Sequence, residues 1–400
     1  MIADPFAWVY AQLTRLLLSL GMTAVWAQTT LRFVGAAVLA TVLLVSTFFL
    51  IWGERKLLAR FQDRLGPNRV GPWGVFQTVA DFVKLIGKEI IIPTHADKVV
   101  YLLAPLLVVL SVVGIWAVIP MAPGVVGTDL EVGVLYIVAI GAIGTLGIMM
   151  AGWSSNNKYA LIGAFRSVAQ LVSYEVPMVL VLLVPVILAS SMSLVGIVDA
   201  QAGMWFIVMA PVAALVFLVT SIAENGRAPF DLLEAESEIV AGFNIEYSAL
   251  AFGMFFVAEF LHSFTIGAVV ATLFLGGWRG PGAEAYPLLG FVYFLLKTLA
   301  IWFLIVWIRA TLPRVRIDQM LGFNWKFLTP VALGILMLTA LVDKMSAAAG
   351  WNRALVLILA NAAAVTVILL SVRAYARFQR RTDQAKGLPA AVEARPAAAH

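Results

Sequence analysis

Residues 33–52 read FVGAAVLATVLLVSTFFLIW, a run without a single charge. A helix rises ~1.5 Å per residue, so the run is long enough to cross the ~30 Å hydrocarbon core of a bilayer. Comparable apolar runs recur at 100–120, 133–153, 167–190, 204–223, 247–275, 288–308, 327–343 and 353–372. The pattern predicts an all-α polytopic membrane protein of about nine transmembrane helices. Composition agrees: 62% of the 400 residues are hydrophobic and 12% charged, whereas soluble domains run at ~45–50% and ~25%. The segment 6–22 is also apolar, but it carries Arg15 and reads as an interfacial helix. It lacks the basic start of a secretory signal peptide, so it is expected to stay attached.

The chain divides into an N-terminal outer-side or interfacial segment (1–30), a transmembrane core (31–345), one further transmembrane helix (346–375) and a basic, Ala/Pro-rich tail (376–400) expected to be disordered. Twenty-one of the 27 Lys and Arg residues fall in alternate loops and the tail, beginning with the loop after the first span. Only five lie on the other side, and Lys297 sits within a span. By the positive-inside rule the N-terminus is outside and the C-terminus cytoplasmic. The net charge of +5 thus reflects topology and gives no reason to expect nucleic acid.

Several chemistries are excluded. There are no cysteines, so no disulfides and no thiolate-held iron–sulfur cluster. His95, His262 and His400 are too scattered for zinc or haem spacing, and no metal site is expected. No phosphate-binding glycine loop follows a strand; GAIGTLG (141–147) lies inside an apolar run, where close helix packing is its use. Any flavin, metal or nucleotide must belong to other chains.

ENGRAPFDLLEAESEIVAGFNIEY (224–247) is out of place in so oily a chain. It holds Glu224, Asp231, Glu234, Glu236, Glu238 and Glu246 with Arg227 as the only cation. Large apolar residues alternate with these acids, which argues against a plain solvated loop. Crowded, half-buried carboxylates repel one another and share protons. Two more acids lie within spans: Glu175 in the fourth and Glu259 in the sixth. Each costs ~2.5–3.5 kcal/mol at a helix centre, so both must face the bundle interior or water. His262 follows Glu259 by one helical turn. That spacing permits a proton relay, or a histidine that hydrogen-bonds the glutamate. Lys297 can pair with either buried acid. Pro177, just past Glu175, frees backbone carbonyls.

Two basic loops share the side of the acidic one. In 53–89 the turn-rich GPNRVGPWG precedes Val75, Val79, Phe82, Val83 and Ile86 at helical spacing. This predicts an amphipathic interfacial helix near 73–89, either an anchor or one wall of an opening to the bilayer. The third cluster, 307–320, holds Arg309, Arg314, Arg316 and Asp318.

Four strings carry a resemblance: GERKLLARFQDRLGPNRVGPWGVFQTVADFVKLIGKE (53–89), NNKYALIGAFRSVAQLVSYE (156–175), AENGRAPFDLLEAESEIVAGFNIEYSALAFGMFFVAEF (223–260) and WIRATLPRVRIDQM (307–320). The chain resembles the family of subunit 1 of mitochondrial NADH dehydrogenase, known in bacteria as the H subunit of respiratory complex I. The resemblance implies a plasma-membrane subunit of a proton-pumping NADH:quinone oxidoreductase. It would form a quinone chamber where the peripheral arm meets the membrane arm. Menaquinone or ubiquinone would be the substrate, and iron–sulfur and quinone-site subunits of the peripheral arm, small membrane subunits and the lipid bilayer would be the partners. By position, Glu175, Glu224 and Glu259 match an intramembrane proton path, to which the residues themselves add His262 and Lys297. Asp231, Glu234, Glu236, Glu238 and Glu246 match the acidic loop of the chamber. Glu54, Arg55, Arg64 and Asp81 match charges near its entrance. Arg166, Arg227, Arg309, Arg314 and Arg316 match cations facing the chamber or the peripheral arm. The family has eight spans, so the helix at 353–372 is an addition. Alternatives are a related subunit of a membrane-bound hydrogenase or other-donor dehydrogenase, a stand-alone ion transporter, and a purely structural anchor.

Overall fold

The structure is a computed structural model, and it describes residues 5–233 and 240–385; Glu234, Glu236, Glu238 and residues 386–400 lie outside these. The described elements are helical: α1 (Pro5–Ser19), α2 (Ala24–Phe61), α3 (Gln77–Gly87), α4 (Lys98–Ile115), α5 (Gly133–Ser154), α6 (Lys158–Ala189), α7 (Leu194–Ala200), α8 (Phe206–Met209), α9 (Pro211–Glu224), α10 (Ala249–Phe274), α11 (Pro287–Thr311), α12 (Ile317–Phe323), α13 (Thr329–Ala349) and α14 (Arg353–Ala385). Helix α12 runs into α13 through a π turn at Asn324–Leu328.

Eight helices, counting Ile317–Ala349 as one, are long and apolar enough to cross a membrane, and Pro211–Glu224 is a shorter apolar helix. The fifth apolar run, 204–223, is therefore not one continuous span. Pro211 has no N–H and disfavours helical geometry in the residue before it. Ala210 accordingly sits at φ −138°, ψ 60°, and the run breaks into α8 and α9. Helix α14 continues to Ala385, past the expected boundary at 375; Ala, Arg and Gln in RAYARFQRRTDQA favour the helix.

Helix α10 is the central element: 72% of its apolar window is buried, against 11–50% for the other long spans. It packs on α2, α3, α4, α9 and α11. Small residues allow the close approaches. A Cβ on Gly163 of α6 would lie 2.5 Å from the Gly242 carbonyl carbon, so the turn Gly242–Asn244 rests directly on that helix.

Prolines interrupt the spans, and side chains from other elements take up the freed carbonyls. Pro105 cannot donate to the Tyr101 carbonyl, and Tyr247 Oη–H donates there instead at 3.0 Å. Pro177 leaves the Ser173 carbonyl free, and Asn324 Nδ2 of the π turn donates to it at 2.6 Å. The carbonyl that Pro177 was expected to free toward water is thus met by an amide from another helix. Within the bilayer no water replaces a missing donor, which is why such caps are needed.

Helix α3 occupies the predicted interfacial position. Phe76, Val79, Val83 and Ile86 are exposed along its outer side, while Asp81 pairs with Arg55 of α2 at 2.7 Å. Burial raises the Asp81 carboxyl, but hydrogen bonds from Arg55 and Gln77 and the charges of Arg55 and Lys84 outweigh it, so the group titrates below its ordinary value.

Candidate functional site: a buried ion-pair chain and two adjoining cavities

The site begins at Glu54, in the last turns of α2. Its side chain is 2% exposed, as is that of Arg227. Arg227 Nη1 donates to Glu54 Oε1 at 2.5 Å, and Arg309 Nη1 from the end of α11 converges on the same oxygen. On its other side, Arg227 Nε lies 2.8 Å from Glu259 Oε1 of α10. The guanidinium carbon is 4.4 Å from the centre of the Phe260 ring. Arg309, Glu54, Arg227 and Glu259 thus form one line of alternating charge from three helices and one loop. A carboxylate buried to this degree is tolerated only when paired.

Glu259 opens onto a cavity of about 850 Å³ of empty volume. Its polar lining includes Glu224, Asn225, Asp231, Asn244, Glu259 and His262, and Phe243, Phe252, Phe255 and Phe256 form apolar walls. A second space of about 460 Å³ adjoins it and is lined by Glu175, Ser221, Glu224 and His262 among apolar residues. Gly141, Glu224 and His262 belong to both linings. The three half-buried acids therefore fall in the order Glu259, Glu224, Glu175 along two adjoining spaces. His262, one turn from Glu259, lies at the junction. Asn244 is buried, and its Oδ1 has no partner among the described residues.

Buried amides hold the walls. Gln170 Nε2 of α6 donates to the Ala223 carbonyl at 2.7 Å and the Phe230 carbonyl at 2.9 Å, fixing the end of α9 on which Glu224 sits. Asn225 Nδ2 donates to Ser263 Oγ at 2.6 Å. Tyr101 and Tyr247 stack with ring centres 4.1 Å apart, and Tyr101 Oη–H donates to the Glu246 carbonyl at 2.8 Å. Burial raises the Tyr247 phenol. The three charged loops do meet. Val315 N–H donates to the Pro229 carbonyl, and Ile91 N–H donates to Ser248 Oγ.

Not every expected site residue joins the chain. Lys297 does not reach Glu175 or Glu259. Its Nζ donates to the carbonyls of Leu275, Gly277 and Arg279 at 2.7, 2.9 and 2.7 Å. An ammonium there satisfies carbonyls at the end of α10 and in the turn that follows it, so the pairing with either acid that the sequence permits is not made. Glu54 is no rim residue: two arginines draw it inside. Arg55 and Asp81 pair with each other at the interfacial helix, and Arg64 is exposed and donates to Gln62 Oε1. Glu246 accepts from Asn157 Nδ2 at 2.6 Å, away from the cavity acids. Arg166 is half-buried on α6, and Arg314 and Arg316 are exposed. Gln170, Asn225, Asn244 and Asn324 were not anticipated. A polar residue within an apolar span is a signal for Gln170; Asn225 and Asn244 lie in the acidic stretch, and the signal for Asn324 was the proline in the helix facing it. Among the described residues no group of three or more His, Asp or Glu side chains is placed to hold a metal ion.

An all-α membrane subunit with a line of paired charges leading into polar cavities is the class these features define. The NADH dehydrogenase family model matches residues 34–340, and the chain belongs to that family. Its relatives are named as the H subunit of NADH-quinone oxidoreductase. The protein of Carboxydothermus hydrogenoformans is 51% identical over 299 residues, covering 74% of this chain and 85% of its own length. That of Dehalococcoides mccartyi strain CBDB1 is 50% identical over 297 residues, covering 74% and 82%. That of Rhodospirillum centenum is 45% identical over 315 residues, covering 76% and 94%.

Proposed function

We propose that this chain is the quinone-chamber subunit of a bacterial NADH:quinone oxidoreductase, and that it relays quinone reduction to proton translocation. The observation that carries the reading is the order of groups: a charged line ends at Glu259, and two adjoining cavities continue from it past Glu224 and His262 to Glu175. Menaquinone or ubiquinone is the substrate. Electrons reach it from iron–sulfur subunits of the peripheral arm, and small membrane subunits continue the path. The complex sits in the cell's inner membrane, with the N-terminus outside and the C-terminus cytoplasmic.

Reducing a quinone to a quinol takes two electrons and two protons. Protons withdrawn near Asp231, which lines the same cavity as Glu259, leave negative charge beside the charged line. Arg227 lies between Glu54 and Glu259 and serves either carboxylate. When Glu259 takes up a proton, its hold on Arg227 weakens and the guanidinium shifts toward Glu54. Glu224 and Glu175 then exchange protons along the adjoining spaces, with His262 at the shared wall.

The test is to replace Glu175 and Glu259 by Gln in the whole complex reconstituted in vesicles. Quinone KM stays within about twofold, while proton uptake or turnover falls by about a hundredfold or more, the contribution of one positioned proton-transfer group. Wild-type coupled activity in both variants refutes the relay.

A further inference from the structure

Helix α14 lies beyond the stretch that the family model matches, residues 34–340. Leu355, Leu359, Val367 and Leu370 are exposed along it. Its contacts with the bundle are polar as well as apolar. Asn361, 1% exposed, donates through Nδ2 to the Met209 carbonyl at 2.9 Å. Arg353 donates through Nη2 to the Leu188 carbonyl at 2.7 Å, and its Nε pairs with Asp343 of α13.

Both acceptors are carbonyls that broken or finished helices leave over. Met209 is the last residue of α8. In an unbroken helix its carbonyl would accept from the Ala213 N–H, but the chain restarts at Pro211 and the acceptor turns to Asn361. Leu188 lies in the last turn of α6, where carbonyls have no intrahelical donor. The amide of Asn361 serves as a donor. Nδ2 also donates to the Leu357 carbonyl, and Oδ1 has no partner among the described residues. Leaving a buried oxygen unpaired is destabilising, and a leucine would avoid it. The position therefore uses the N–H groups of Asn361.

Helix α6 carries Glu175, and α9 carries Glu224 at the end opposite the break. We propose that α14 is an intramolecular clamp on the two helices that carry Glu175 and Glu224, with Asn361 and Arg353 as positioning residues that cap the freed carbonyls of Met209 and Leu188. Gln170 holds one end of α9, and Asn361 holds the last carbonyl of α8 two residues before the other end, so the helix bearing the middle carboxylate is braced on both sides. The consequence for coupling rests on the relay proposed above; the clamp itself does not.

The test compares wild type, Asn361→Leu, Asn361→Gln and Arg353→Met in the full chain in nanodiscs and in the assembled complex in vesicles. Hydrogen exchange is read at 206–214 and at 186–190. Asn361→Leu speeds exchange at 206–214 by about tenfold, the value of one net hydrogen bond, and Asn361→Gln, which keeps the donor, restores it. Arg353→Met does the same at 186–190. In vesicles, Asn361→Leu lowers protons taken up per quinone reduced without changing quinone KM. Unchanged exchange in both variants overturns the clamp, and the nanodisc arm reads this even if a variant fails to assemble. Faster exchange with wild-type protons per quinone overturns the positioning role. A wild-type complex without quinone-linked proton uptake sinks the relay, while the exchange data still decide the clamp.

Discussion

Replacing Arg227 by Met removes the hub of the charged line while keeping its length and apolar stem. Arg227 is 2% exposed and touches two carboxylates, Glu54 and Glu259. Breaking a buried pair costs ~3–5 kcal/mol because one charge is stranded. The two partners do not lose equally, however. Glu54 keeps Arg309 on the same oxygen. Among the described residues Glu259 is left without a cation, but its side chain is 28% exposed toward the cavity and can be hydrated. Deleting the arginine also removes its Nη2, which has no partner among the described residues, a relief of ~1 kcal/mol or more. The balance is a loss of about 2–4 kcal/mol. Equilibrium unfolding of the full chain in mixed micelles measures it. If the stranded Glu259 causes the loss, then Arg227→Met with Glu259→Gln should be ~1–2 kcal/mol more stable than Arg227→Met alone. A double variant no more stable than the single refutes this reasoning and moves the cost to Glu54.

Two further outcomes follow from the same contacts. Asn324→Leu strands the Ser173 carbonyl and should cost ~1–3 kcal/mol; adding Pro177→Ala returns an N–H four residues along and should recover most of it, and a Pro177→Ala background that leaves the cost intact sinks the capping account. The Asp81 carboxyl is lowered in the fold, so its stabilisation is fully present above the unfolded value near 3.8 and lost as pH falls through the folded one. Asp81→Asn should therefore weaken α3 docking at neutral pH by under ~1 kcal/mol, since the pair is partly exposed, and the difference should shrink as pH falls through the folded value, below 3.8; hydrogen exchange over 77–87 across pH reads it.

Long charge-free runs such as 33–52 dictate a membrane-spanning bundle without any knowledge of packing, because exposing so much apolar surface to water is untenable. The same holds for the acids: Glu175 and Glu259 had to point inward, and they do. The interfacial helix was legible from the spacing of Val79, Val83 and Ile86. Partner choice was not. Glu54 and Lys297 are both charged residues near or within spans, yet one is seized by two distant arginines and the other by three carbonyls at a helix end. Sequence spacing constrains only neighbours within a turn or two, and these contacts join residues 173 and 255 positions apart for Glu54. The break at Ala210 was foreshadowed by Pro211, but what fills it, an asparagine some 150 residues away, depends on which helices the bundle sets side by side. The sequence by itself determined the spans, the inward-facing acids and the sites where prolines free carbonyls. Only the tertiary structure decided which side chain answers each freed carbonyl and each buried charge, because in a bilayer every such group must be paired by whatever element packs against it.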